Sequence, residues 1–170
     1  MLALVAVCVY VIDQVAKFLV VENLTERQPV EVLGQFVQFY FVKNAGAAFS
    51  LGSGSTWIFA IIASAVAVFI IVFAPRIRSV AWAVLFGLLL GGNLGNLTDR
   101  LVREPGFGVG HVVDFIQVQY FPAIFNVADM AIVASMVVFI VLTVRGIGLT
   151  GSKAVVAPKT TADATTTDIS

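Results

Sequence analysis

The sequence predicts a membrane all-α fold: a bundle of four transmembrane helices carrying a small extracytoplasmic, interfacial β-sheet. Three observations predict it. Of the 170 residues, 59% are hydrophobic and only 12% charged, with a mean hydropathy of +1.00, a balance too apolar for a soluble domain. Four runs are long and charge-poor enough to cross a bilayer core, which takes roughly 20 residues at about 1.5 Å rise each. Between them lie stretches rich in Phe, Tyr and Val with interleaved polar residues, a pattern that favours extended backbone at an interface.

The four runs are Leu2 to Val21, Thr56 to Ala74, Ser79 to Leu97 and Ile124 to Val144. The first starts apolar at Met1 and carries Asp13 and Lys17 late, whereas a cleavable signal peptide has a basic leading region, so it reads as a retained helix. The second carries no charge and the fourth only Asp129. In the third, Gly87, Gly91 and Gly95 recur every four residues, a small-residue ridge that admits a neighbouring helix closely. Asn96, Asp99 and Arg100 make one face of its far end polar.

Glu31 to Ser50 is expected to form a short sheet half sunk among lipid head groups, and His111 to Tyr120 a further extended piece carrying Asp114. The Gly106 to Gly110 loop, together with the strands, is expected to act as a flap over a site. Pro122 then turns the chain into the fourth helix. Residues 1–145 read as a single integral membrane domain, and residues 146–170, rich in Gly, Ser, Thr and Ala, as a disordered cytoplasmic tail.

Arg76 and Arg78 in the second turn, and Arg145, Lys153 and Lys159 after the fourth helix, put those ends in the cytoplasm by the positive-inside rule. Both termini are then cytoplasmic, and the two long loops share the outer face. With ten basic and ten acidic residues, the charge balance points away from nucleic acid. A single cysteine, Cys8, excludes an internal disulfide and a cysteine-based metal site. His111 stands alone in a polar loop, where a hydrogen-bonding or surface role is the ordinary one.

Asp114 and Asp129, fifteen positions apart, each sit within an apolar run, where keeping an acid ionised is costly. Asn126-x-x-Asp129 also reads as a helix start resembling a capping box, worth roughly 1 kcal/mol without any catalysis. Capping does not account for Asp114, which precedes no helix. Two such acids brought together share a proton and titrate as a pair. One ionised member to activate water and one protonated member to polarise a carbonyl is the requirement of an aspartic peptidase. Asp129, at a helix N-terminus, is expected to be the more readily ionised partner. A serine triad has no Gly-x-Ser-x-Gly elbow here, and the His-Glu-x-x-His zinc motif is absent. A membrane transporter or proton pathway using Asp13, Lys17, Asp99, Arg100 and Asp129 is the alternative; apart from Asp13 and Lys17, these residues cluster toward one face.

Five ordered blocks carry a resemblance: Asp13-Gln14-Val15-Ala16-Lys17, Asn44-Ala45-Gly46-Ala47-Ala48-Phe49-Ser50, Gly91-Gly92-Asn93-Leu94-Gly95-Asn96-Leu97-Thr98-Asp99-Arg100, Val112-Val113-Asp114-Phe115 and Phe125-Asn126-Val127-Ala128-Asp129. Over most of residues 10 to 145 the chain resembles the bacterial lipoprotein signal peptidases, the type II signal peptidases. The resemblance implies an aspartic endopeptidase of the cytoplasmic membrane. It implies removal of the signal peptide of a diacylglyceryl-modified prolipoprotein just before the lipidated cysteine, near the extracytoplasmic face. Asp114 and Asp129 match the catalytic dyad; Asn44, Asn96, Arg100 and Asn126 match residues that line the site; Asp13 and Lys17 match supporting residues. No metal or organic cofactor is implied, the partners are the prolipoprotein substrates and membrane lipid, and the enzyme is expected to act as a monomer. Members usually carry a charged lead before the first helix, whereas this chain begins inside it at Met1, so an upstream start is expected. The Thr-rich tail lies outside the resemblance.

Overall fold

The computed structural model describes residues 1–46 and 56–151. Helices α1 (Leu2–Asn23), α2 (Thr56–Phe73), α3 (Val80–Val102) and α4 (Val127–Val144) are each long and apolar enough to cross a membrane. Strands β1 (Pro29–Leu33), β2 (Val37–Asn44), β3 (Val112–Val118) and β4 (Ile124–Phe125) form one antiparallel sheet in the order β1-β2-β3-β4. The expected architecture is therefore present. Large apolar side chains such as Leu4, Phe18, Ile61, Phe69, Val72 and Ile140 point outward and stay exposed, a surface suited to lipid and not to water.

α3 is the central helix, packed by α1, α2 and α4. Its glycine ridge explains the close packing of α1: a Cβ at Gly87 would come within 2.7 Å of Val5 Cβ, and one at Gly91 within 2.6 Å of the Ala6 carbonyl oxygen. Ala6, Ala67, Ile70 and Leu90 form the core among the first three helices. A second core, Val20, Phe41, Val113 and Phe115, joins one end of α1 to the sheet. That end of the bundle carries the site described below.

Two helix boundaries differ most from the hydropathy reading, the end of α3 and the start of α4. α3 runs five residues beyond Leu97, to Val102, because the acids and bases that close the hydropathy window pair within the protein: Asp99 bonds to Arg103 Nε at 2.6 Å, one turn on. α4 begins at Val127 and not at Ile124; Ile124 and Phe125 pair with Gln117 and Ile116 as β4, and Asn126 is the N-cap. The Gly106 to Gly110 loop is no free flap, for Gly110 N–H donates to the Arg100 carbonyl at 3.0 Å and His111 N–H to that of Glu104 at 2.8 Å. It supplies donors to the carbonyls left over at the end of α3; a side chain at Gly110 would collide with the carbonyls of Asp99, Arg103 and Arg100.

The chain beyond Arg145 stays ordered further than composition suggests. The Ile147 carbonyl accepts Trp82 Nε1–H at 2.9 Å, and the Leu149 carbonyl accepts the N–H groups of Arg78 and Ser79 at 3.1 and 2.9 Å. These are donors that the start of α3 leaves without an intrahelical acceptor. The remainder of the expected tail, 152–170, and positions 47–50 of the motif from Asn44 to Ser50 lie outside the described residues.

Candidate active site

Asn126 organises the site because it does two jobs with one side chain. As the N-cap of α4, its Oδ1 accepts the Asp129 N–H at 3.0 Å, while its own backbone N–H donates to Asp129 Oδ2 at 3.1 Å, a complete capping box. Its Nδ2 points the other way, donating to Asp114 Oδ1 at 2.6 Å and to Asn96 Oδ1 at 3.1 Å. Capping and site assembly are thus the same geometry. The two acids, Asp114 buried on β3 and Asp129 half-buried in the first turn of α4, are joined through this residue.

Each acid has one further donor. Asn44, at the end of β2, gives Nδ2–H to Asp114 Oδ2 at 2.8 Å, and its Oδ1 is held by the Gly46 N–H at 3.0 Å. The antiparallel register that pairs Val42 with Asp114 and Asn44 with Val112 brings β2 alongside. Asn96, on α3, gives Nδ2–H to Asp129 Oδ1 at 2.8 Å. Because its Oδ1 already accepts from Lys17 Nζ at 2.9 Å and from Asn126, the amide can face Asp129 only with its NH₂ group.

Burial pushes the Asp114 carboxyl up to about 6; the Asn44 hydrogen bond opposes this, the negative charge of Asp129 adds to it, and the Asn126 hydrogen bond and Lys17 oppose it. Asp114 therefore holds its proton in mildly acidic conditions.

Arg100 reaches the site from α3 with its guanidinium over the Phe59 ring, 5.1 Å from the centroid, a cation–π arrangement. Its Nη1 is buried and has no hydrogen-bond partner among the described residues, although Asp114, Asp99 and Asp129 lie within electrostatic reach. A buried donor without an acceptor is rare in a folded protein.

Asp13 and Lys17 lie one layer behind, both fully buried, with Lys17 Nζ 2.9 Å from Asp13 Oδ2 and 2.8 Å from Asp99 Oδ2. All eight residues singled out from the sequence thus converge on one end of the bundle. Asp99, which the sequence places on a polar helix face and in the alternative polar pathway but not among the site residues, is a fully buried acid that requires a counter-ion, and Lys17 supplies it. Phe59 carried no signal, because its neighbour Arg100 is remote in sequence. Beside Asp129 opens an apolar cavity of about 760 Å³, lined by Phe121, Ile124, Phe125, Met130 and Val133 among others.

The comparisons with known proteins agree with this geometry. A family profile described as Signal peptidase (SPase) II matches residues 5–145. A lipoprotein signal peptidase of Leifsonia xyli is 66% identical over 152 residues, spanning 89% of this chain and 70% of that protein. One of Streptomyces coelicolor is 46% identical over 148 residues, spanning 87% of this chain and 72% of that protein. A bacterial membrane enzyme solved by the in meso method at 2.3 Å resolution superposes with a TM-score of 0.75 at 29% identity, over 89% of this chain and 92% of that chain. With a profile match over most of its length and relatives this similar, the chain belongs to the signal peptidase II family, the lipoprotein signal peptidases.

Proposed function

We propose that the protein is an aspartic endopeptidase that cleaves diacylglyceryl-modified prolipoproteins just before the lipidated cysteine, with Asp114 and Asp129 as its catalytic dyad. The observation that carries this reading is the bridge through Asn126, which joins two carboxyls at one end of an apolar bundle, at 2.6 Å to Asp114 and 3.1 Å to Asp129.

In the reaction, ionised Asp129 takes a proton from water as the water oxygen attacks the scissile carbonyl carbon, and Asp114 gives its proton to the carbonyl oxygen. The resulting gem-diol collapses: one of its hydroxyl protons returns to Asp114, the C–N bond breaks, and the departing amine of the cysteine takes the proton held by Asp129. Both acids end as they began. Arg100 donates to a backbone carbonyl of the bound peptide through Nη1, which has no acceptor among the described residues. Asn44, Asn96 and Asn126 hold the carboxyls, and Asp13 with Lys17 support them from behind.

The apolar cavity beside Asp129 suits a substrate held in the bilayer by acyl chains, each buried CH₂ contributing about 0.8 kcal/mol. The arginines at the α2–α3 turn and after α4 favour a cytoplasmic location for that end and for both termini, which puts the dyad near the extracytoplasmic face of the cytoplasmic membrane. Action as a monomer on prolipoprotein within membrane lipid is part of the same reading. The test is to incubate the purified enzyme in detergent with a diacylglyceryl prolipoprotein and compare wild type with Asp114→Asn and Asp129→Asn. Wild type releases a product whose N-terminus is the lipidated cysteine, read by mass spectrometry, and neither variant does; full processing by either variant ends the dyad.

A further inference from the structure

We propose that Lys17 acts as a clasp that sets the spacing of the two catalytic aspartates, working through a second pair of carboxylates, Asp13 and Asp99. The inference rests on the dyad reading and adds three positioning residues to it.

The three protons of the Lys17 ammonium meet three acceptors, Asp13 Oδ2 at 2.9 Å, Asp99 Oδ2 at 2.8 Å and Asn96 Oδ1 at 2.9 Å, which is its full donor capacity. Lys17, Asp13 and Asp99 are each 0% exposed. What the two carboxylates do next is parallel. Asp13 Oδ1 accepts the backbone N–H of Ala128 at 2.9 Å, and Asp99 Oδ2 accepts the backbone N–H of Val113 at 3.2 Å. Ala128 immediately precedes Asp129, and Val113 immediately precedes Asp114. One ammonium therefore holds, through one carboxylate on each side, the peptide group next to each member of the dyad. Its third bond runs through Asn96 to Asp129 itself.

Such a string resists stretching. Moving β3 away from the start of α4 would pull a carboxylate off the ammonium and leave a buried charge uncompensated, which is strongly unfavourable. It also resists compression: a Cβ at Gly95 would already overlap Asp13 Oδ2. Backbone pairing contributes little here, because it joins β3 to the chain before α4 through only the two residue pairs of β4; the Asn126 side chain bonded to Asp114 is the other direct link, and the clasp acts alongside it.

Spacing governs the coupling of two acids. If the clasp loosens, the repulsion between them weakens, their two apparent titrations approach each other, and the pH window of the singly protonated dyad narrows. The charged groups facing the dyad are Lys17 from α1 and Arg100 from α3, with Asp13 and Asp99 facing Lys17 and Arg103 facing Asp99; α2 carries no charge, and β2 offers the neutral Asn44.

The experiment uses full-length enzyme in detergent with diacylglyceryl prolipoprotein, and the variants Asp13→Asn and Asp99→Asn, each of which leaves Lys17 one carboxylate partner. Expected are a fall in kcat of about 100-fold, as for a displacement of reacting groups by about an ångström, a KM within about threefold of wild type, and a narrower bell in the pH profile of kcat. Trp82→Phe, which removes the donation of Trp82 Nε1–H to the Ile147 carbonyl at the other end of α3, is the control: it lowers the melting temperature but leaves kcat per folded molecule and the bell width as in wild type. Wild-type kcat per folded molecule and unchanged bell width in both clasp variants would overturn the proposal. Amide exchange in the wild-type enzyme provides an arm that needs no variant: the Ala128 and Val113 amides are expected to exchange as slowly as mid-helix amides, and exchange at loop rates overturns the clasp. Asp114→Asn run in parallel separates the two readings, since processing by that variant ends the dyad whatever the clasp does.

Discussion

Asn126 donates its side-chain amide to Asp114 at 2.6 Å, so the residue that starts α4 also anchors a carboxylate on a strand of the neighbouring sheet. Asn126→Ala removes the cap, at about 1 kcal/mol, and leaves the buried Asp114 short of a donor, at about 1–3 kcal/mol more. Processing is expected to fall by at least about 100-fold, since both acids lose their common reference. Thermal melting in detergent and a prolipoprotein cleavage assay measure the two effects, and an Asn126→Ala enzyme with wild-type turnover would contradict the bridge.

The elevated Asp114 carboxyl gives a signed pH prediction. Its folded-state value, about 6, lies above the ordinary 3.8, so the folded protein binds this proton more tightly than the unfolded chain. The stability this contributes is fully present below about 4 and is lost as pH rises through about 6. Asp114→Asn, which carries no charge at any pH, should therefore gain about 3 kcal/mol relative to wild type at pH 8, with the gain vanishing toward pH 4. Melting temperatures of both proteins across that range check it. A stabilisation that grows on acidification would have the wrong sign.

The same proton predicts an activity limb. In the proposed mechanism Asp114 donates its proton to the carbonyl, so kcat/KM, which reports the free enzyme, should decline on the alkaline side with a midpoint near about 6. Initial rates at substrate concentrations well below KM, over a pH series, give the midpoint.

Arg100 predicts a trade between binding and stability. Its Nη1 is a buried donor without an acceptor among the described residues, so Arg100→Met removes a desolvation cost of about 1–3 kcal/mol against a cation–π contact worth about 1 kcal/mol. The variant should melt at or above the wild-type temperature while its KM for prolipoprotein rises about tenfold or more. A variant that binds substrate normally would remove Arg100 from the site.

Gly95→Ala tests the packing that makes room for Asp13. Alanine gains about 1 kcal/mol of helix propensity, yet its methyl would overlap Asp13 Oδ2 and approach Ala128 Cβ to 3.2 Å. Overpacking against a buried ion pair should dominate, for a net loss of about 2 kcal/mol, visible as a lower melting temperature with loss of processing.

The sequence by itself determined the membrane class, the four helices and the blocks in which chemistry resides, because transfer of a run of about 20 residues into hydrocarbon depends on local composition. It also marked Asp114 and Asp129 as acids with a cost to explain. It misjudged α3 and α4 at their ends, since hydropathy cannot see that Asp99 is neutralised by Lys17 from α1 or that Ile124 and Phe125 find a strand partner in β3. It left Asn126 undecided between cap and site; the fold made it both. Only tertiary structure decided where each hydrogen bond goes: that Asp13 accepts from Ala128, that Asp99 accepts from Val113, and that Arg100 Nη1 is left without an acceptor among the described residues. Burying a charge demands a partner, which a sequence can announce; the partner's identity depends on which helices and strands meet, and that is settled when the glycine ridge of α3 draws α1 close.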